Sequence, residues 1–117
     1  MKNKFNKYKN IKSGIYDSKK ESKRAGELKL LEKNKYISHL QEQKVFELQP
    51  SFKVVSNKPP FKLETVRAIK YIADFYYYDN EKNKWIVEDS KGFRTKDYII
   101  KSKMFRYAYK EIIFLET

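Results

Sequence analysis

The chain has no cysteine, only three glycines and three prolines, and a single histidine in 117 residues. Without cysteine there are no disulfides and no thiolate metal sites, which fits a reducing compartment and predicts a cytoplasmic protein. So few glycines and prolines leave little room for low-complexity linkers. No apolar run approaches the ~20 residues of a membrane-spanning helix, so a membrane is not the expected partner. The start, MKNKFNKYKN, carries charge but no apolar segment, which predicts no secretory signal. Nothing suggests a zinc site, a glycine-rich phosphate loop, or a Ser/His or Cys/His nucleophile. The lone histidine, His39, falls in a helix-exit loop and reads as a surface residue.

What is present argues for one small folded domain. Hydrophobic residues make up 40% of the chain and aromatics 16%, mostly tyrosine and phenylalanine, enough for a single core. Lysine and arginine number 27 against 15 acidic residues, a net charge of +12. A field of that sign favours a polyanion, and nucleic acid is the usual one. Residues 1–13 carry Lys2, Lys4, Lys7, Lys9 and Lys12 and read as a flexible basic arm ahead of a single domain over 14–117.

Ser18-Lys19-Lys20-Glu21 matches a capping box and starts a helix that runs to about Asn34, with Gly26 inside it as a sign of close packing. A strand follows over Lys44–Val55, bent or ended by Pro50, then a loop at Asn57–Pro60. Val66–Tyr78 reads as a long strand, Asp79–Lys84 as a polar turn and Trp85–Lys91 as the returning strand. Thr95 caps a second helix over Lys96–Tyr109, with Ile100, Met104 and Tyr107 as its inner stripe. Glu111–Glu116 is a last strand, able to lie parallel to a neighbour because a helix precedes it. The expected order is α-β-β-β-α-β, an α/β fold with a mixed four-stranded sheet flanked by helices.

Two aspartates stand out inside these strands. Asp74 in YIADFYYY and Asp89 in KWIVEDSKG interrupt apolar and aromatic runs, where aspartate packs badly. A carboxylate in a sheet core needs a partner, usually a cation or a metal. A turn centred between Glu81 and Lys82 places Asp74 opposite Asp89, with Cβ atoms ~5 Å apart, where like charges destabilise a sheet. A divalent cation between them reverses that effect, and Mg²⁺ is held through one or two such carboxylates. Ile72, Asp74 and Tyr76 share one face by alternation, and Lys91 shares a face with Asp89. Glu88 takes the other face, and replaces Asp89 as ligand if the register differs. The chemistry these groups suit is phosphodiester hydrolysis: metal at Asp74 and Asp89, Lys91 stabilising developing charge, Glu21 as a third carboxylate or simply a helix cap. Lys96, Lys101, Lys103 and Arg106 form a candidate phosphate-binding group on the second helix. Gln49 is either a hydrogen-bond donor near the scissile phosphate or a strand-end polar residue. Tyr76, Tyr77 and Tyr78 stack on bases or, more simply, pack in the sheet.

The element order, the aspartate of the second main strand and the hydrophobic-Glu88-Asp89-Ser90-Lys91-Gly92 segment resemble the PD-(D/E)xK nuclease superfamily. More narrowly, Asp17–Glu21, Glu47–Phe52, Tyr71–Phe75, Val87–Gly92 and Ile100–Phe105 are similar to a small phage and prophage family of unknown function placed in that superfamily. The resemblance spans about residues 14–116. It implies a restriction-endonuclease-like fold and Mg²⁺- or Mn²⁺-dependent cleavage of DNA in recombination, repair or processing, in a host cytoplasm if phage-encoded. Asp74 and Asp89 become metal ligands, Lys91 the catalytic lysine and Glu21 the helical acidic residue. Ala73 stands where the motif's name has proline. A homodimer would suit an enzyme that breaks two strands. The alternative is a non-catalytic nucleic-acid-binding protein using the same basic surface.

Overall fold

The computed structural model describes residues 19–90 and 94–117. The expected basic arm, the Ser18 cap and Lys91 lie outside these residues. Within them the order is α1 (Lys19–Lys33), β1 (Ile37–Gln49), β2 (Phe52–Val55), β3 (Leu63–Val66), β4 (Ile69–Asp79), β5 (Lys84–Asp89), α2 (Lys96–Ala108) and β6 (Ile113–Glu116). The main sheet has strand order β1-β4-β5-β6, and β2 pairs with β3 in a separate two-stranded sheet. β1, β4 and β5 are antiparallel neighbours, while β6 lies parallel to β5. The expected α-β-β-β-α-β order is therefore present, with a hairpin inserted between its first two strands.

Local chemistry explains most boundaries. Thr95 caps α2, its hydroxyl accepting from the Tyr98 N–H at 3.0 Å. α1 ends where Lys35 takes a left-handed φ of 66° and Tyr36 donates its N–H to Leu31 O at 2.9 Å. The β4–β5 turn is built on Asp79, whose Oδ1 accepts from Glu81 and Lys82 N–H, both at 2.9 Å. That turn sets the pairs Phe75↔Glu88, Tyr76↔Val87 and Tyr77↔Ile86, the register expected from a turn centred between Glu81 and Lys82.

One helix covers each face. Ala25 and Leu28 of α1 pack on Ile37, Phe75, Tyr77 and Ile86. Phe105 of α2 packs on Phe46, Tyr71, Ala73 and Val87. Burying a large apolar side chain stabilises the fold by ~1.5–3 kcal/mol, so these two clusters hold the layers together. An ion pair locks α1 to the sheet as well. Arg24 donates from Nε to Glu88 Oε2 at 2.5 Å and from Nη2 to Oε1 at 3.0 Å. Tyr77 adds a third donor to Glu88 at 2.8 Å. Its hydrogen bond to Glu88 holds the Arg24 guanidinium firmly protonated.

Several expectations need correction. β1 begins at Ile37, so His39 lies in a strand, with φ 56°, and not in a loop. The single expected strand over 44–55 is the end of β1 plus β2, separated at Pro50 and Ser51. Val66 belongs to β3, and the long strand begins at Ile69. Gly26 is exposed, and a Cβ there would meet nothing within 4 Å, so it marks no close packing. The inner face of α2 is carried by Phe105 and Ser102, since Ile100 is exposed and Tyr107 is 75% exposed. A stripe through Tyr98, Ser102, Phe105 and Tyr109 has the same helical spacing but is set two residues earlier, on the opposite face of the helix.

Removing Arg24 leaves Glu88 buried without its cation. Arg24→Ala should therefore cost ~3–5 kcal/mol in urea unfolding, and Arg24→Met with Glu88→Leu markedly less. A single variant within ~0.5 kcal/mol of wild type would show that the pair does not anchor α1.

Candidate active site

The sheet opens at Asp74. The β4–β5 ladder runs back from the turn to Phe75↔Glu88 and stops there. Beyond it the strands are joined through side chains: Asp74 donates its backbone N–H to Asp89 Oδ1 at 2.9 Å, and Ser90 donates its N–H to Asp74 Oδ2 at 2.8 Å. Each carboxylate thus replaces a carbonyl of the neighbouring strand as acceptor. Both are buried, Asp89 fully and Asp74 to 6% exposure. The pair that the turn position predicted is brought together, by this exchange and not by two carboxylates facing across a regular ladder.

The exchange has a second effect. Tyr71 and Ala73 pack on the α2 side, yet Phe75 and Tyr77 pack on the α1 side, so β4 changes face at Asp74. Strict alternation would keep these four together. Tyr76 lies with the α2 cluster, which corrects the expectation that it shares a face with Asp74 through regular alternation. β1 changes face at the same level. Glu42 reaches Lys29 of α1 at 3.7 Å, while Lys44 lies 5.9 Å over the Phe46 ring on the α2 side. Between them, Gln43 takes a left-handed φ of 54°. Its register position is opposite Asp74, between the pairs Glu42↔Phe75 and Lys44↔Ala73.

Two further residues join the site that sequence reasoning passed over. Gln43 donates from Nε2 to Glu21 Oε2 at 3.1 Å, tying the buried helical carboxylate to the strand level of Asp74. Tyr71 donates its hydroxyl to Asp89 Oδ2. Burial first, and Asp89 beside it, push that hydroxyl well above the ordinary tyrosine value, so it stays a donor throughout the neutral range. A tyrosine in an aromatic strand reads as core, and no sequence signal separates this one from its neighbours.

Glu21 is 3% exposed. It does not complete a three-carboxylate cluster with the aspartates: among the described residues no group of three or more His, Cys, Asp or Glu could hold one ion. Mg²⁺ needs only one or two protein carboxylates, the rest of its shell being water and phosphate, so the Asp74–Asp89 pair fits it by donor chemistry. Glu88 is taken up by Arg24 and Tyr77 on the α1 side, which removes it as an alternative ligand.

Basic side chains flank the pair on both sides. On the α1 side a depression of about 420 Å³ is lined by Lys20, Lys23 and Arg24 with Ser90. On the α2 side a recess of about 170 Å³ is lined by Lys70, Tyr71 and Lys101 with Asp97 and Tyr98. The four cations expected on α2 do not act as one face. At ~100° per residue, Lys96, Lys103 and Arg106 fall within one arc while Lys101 points to the other side. Lys101 pairs with Asp97 at 3.3 Å, and Arg106 lies 5.7 Å over the Phe114 ring. Gln49 ends β1 opposite Ile69, on the strand segment leading to Asp74. A wider depression of about 550 Å³ between Tyr76, Trp85 and Tyr109 has Glu111 as its one carboxylate and lies apart from the aspartates.

Residues 2–115 match the family described as Protein of unknown function (DUF1064). The chain belongs to this family. Neither the curated proteins nor the solved structures contain a match. Among the described residues, no helix of this DUF1064 protein is long and apolar enough to cross a membrane.

The raised Tyr71 value fixes a pH dependence. Its folded-state value lies above the unfolded value of ~10, so its contribution is complete below about pH 10 and is lost as the pH rises beyond it. Tyr71→Phe removes one donor to a buried carboxylate, at a cost of ~1.5–3 kcal/mol at neutral pH. Thermal unfolding from about pH 8 to pH 11 should show the gap between wild type and variant narrowing in alkali. A gap that stays constant would mean that the hydroxyl is not held protonated by the fold.

Proposed function

We propose that this DUF1064 protein is a metal-dependent DNA endonuclease that hydrolyses phosphodiester bonds at Asp74 and Asp89. The observation that carries the proposal is the buried aspartate pair at the point where β4 and β5 part, each carboxylate fixed by a backbone N–H of the other strand. Burying two neighbouring carboxylates is costly to a fold unless cations compensate. A structural role alone would be met more cheaply by an ordinary ladder pair.

Asp74 and Asp89 would hold Mg²⁺ or Mn²⁺ as a two-carboxylate site, with water and phosphate completing the shell. Bound there, such an ion supplies electrophilic polarisation of the phosphoryl group and a more acidic water. The protein's own groups do the rest. Tyr71, protonated at working pH, orients Asp89, and the Ser90 N–H orients Asp74. Lys20 and Lys23 on one side and Lys101 on the other, which line the two flanking depressions, would bind phosphates. Lys91, two residues after Asp89, is proposed to stabilise charge on the leaving oxygen. The net charge of +12 supports DNA as substrate and also favours a second reading, a binding protein without catalysis.

Incubation with supercoiled plasmid, linear duplex and a four-way junction, in Mg²⁺, Mn²⁺ or EDTA, separates the two. Cutting should require metal and fall by at least about 10³-fold in Asp89→Ala. DNA binding in EDTA should persist or tighten in that variant, since a negative charge is removed. Wild-type protein that binds all three substrates and cuts none with either metal leaves the binding-protein reading in place.

A further inference from the structure

Among the described residues β2 and β3 pair only with each other, through Phe52↔Val66, Lys53↔Thr65, Val54↔Glu64 and Val55↔Leu63. A sheet packed on a core buries one face. This one buries neither. Phe52, Val54, Val55 and Leu63 are exposed, and Phe61 beside the Pro59-Pro60 tip is 66% exposed. A four-pair ribbon is marginal in water by itself, and an apolar projection of this kind marks an interaction site.

Charge selects the partner. Over residues 51–67 the hairpin carries Lys53, Lys58, Lys62 and Arg67 against Glu64, four positive charges less one, a net +3. Two copies meeting hairpin to hairpin would set +3 against +3 across edges of only four residues. A polyanion meets the same charge with attraction and counterion release. The shape agrees: a two-stranded ribbon fits the major groove, and exposed Phe, Leu and Pro are the side chains that wedge between base steps.

The hairpin is also rightly placed. It leaves the main sheet at Gln49 and rejoins it at Ile69, which pair with each other. Asp74 lies five residues further along β4, about 17 Å at the rise of a strand. β5 runs antiparallel to β4, so its Asp89 end points towards the hairpin's root, at the level of Asp74.

We infer that the β2–β3 hairpin is a DNA-gripping arm: Lys53, Lys58 and Lys62 contact phosphates, and the Phe61 tip enters a groove of the duplex flanking the cleaved bond. Its placement rests on the nuclease reading, while the binding it confers does not.

The test is fluorescence anisotropy in EDTA, with a short duplex and a four-way junction, on the full chain. Two variants are compared with wild type, Lys53→Ala/Lys58→Ala/Lys62→Ala and Phe61→Ala. All four side chains are exposed, so circular-dichroism melting should show the fold kept. The triple variant should lose about tenfold or more in affinity at about 0.1 M salt, and its log K against log salt slope should shrink by up to ~2.7, three phosphates at ~0.9 each. Phe61→Ala should bind more weakly with the slope unchanged. Wild-type affinity and slope in both variants overturn the arm. So does unaltered DNA binding together with a dimer that the variants turn into monomers in sedimentation, since the hairpin then serves a second copy. Wild type that fails to bind either DNA overturns it as well. Absence of cutting in both Mg²⁺ and Mn²⁺ would end the nuclease reading while an anisotropy loss still upheld the arm.

Discussion

Everything near the site follows from one exchange of hydrogen bonds. Where β4 meets β5, the Asp74 N–H turns to the Asp89 side chain and the Ser90 N–H to the Asp74 side chain. Backbone donors inside a protein must find acceptors, so the carboxylates meet the need that carbonyls meet elsewhere in the sheet. In doing so they let the strands part, turn the following residues of β4 to the opposite helix, and leave an opening at the end of the sheet. The left-handed Gln43 in β1 makes the matching change of face in the next strand. Without it, β1 and β4 could not keep one register on both sides of Asp74.

The helices are tuned to this opening. α1 is held to β5 through Arg24 and Glu88, the residue just before Asp89. That bond fixes the helix turn that carries Glu21, and Gln43 then ties Glu21 to the level of Asp74. On the other face Tyr71 reaches Asp89 from among the aromatic rings that pack on Phe105. The acidic side chains are thus gripped from both layers. Among the described residues the one buried side-chain oxygen without a hydrogen-bond partner is Glu42 Oε1, which belongs to neither aspartate. Such full satisfaction keeps buried carboxylates in one geometry, which a metal or phosphate site requires.

Much of this was legible in the sequence, for local reasons. The Asp79 turn fixed the β4–β5 register, and Thr95 announced the start of α2. A helix between β5 and β6 required a crossover and made their parallel pairing readable. The conspicuous aspartates pointed to the place where the sheet opens. The rest depended on contacts that sequence pattern does not carry. β1 reads ISHLQEQ over its first half, with His39 and Gln43 at positive φ, so no alternation marks it as a strand. The change of face at Asp74 comes from a side-chain acceptor, which periodicity treats as an ordinary strand position. The inner stripe of α2 was put on the opposite face because Ile100 and Tyr107, the obvious apolar residues, face solvent.

The inserted hairpin shows why pattern failed there for a different reason. Period-two alternation signals a strand only when one face is buried, and among the described residues β2–β3 buries neither face. Val54-Val55 and Lys62-Leu63 put apolar and basic side chains on both faces, a composition that suits neither a core nor a plain solvated loop. It suits a ribbon that meets a polyanion along its length and presents an apolar tip. The same argument links the two ends of the molecule's charge. Lys20 and Lys23 line the depression that Ser90 shares, and the lysines of the hairpin lie beyond its root, itself about 17 Å along the strand from Asp74. On that arrangement the acidic pair sits as a small negative island in a positive track. On the proposed reading the track would draw the backbone in, and the island would determine which phosphodiester meets the metal.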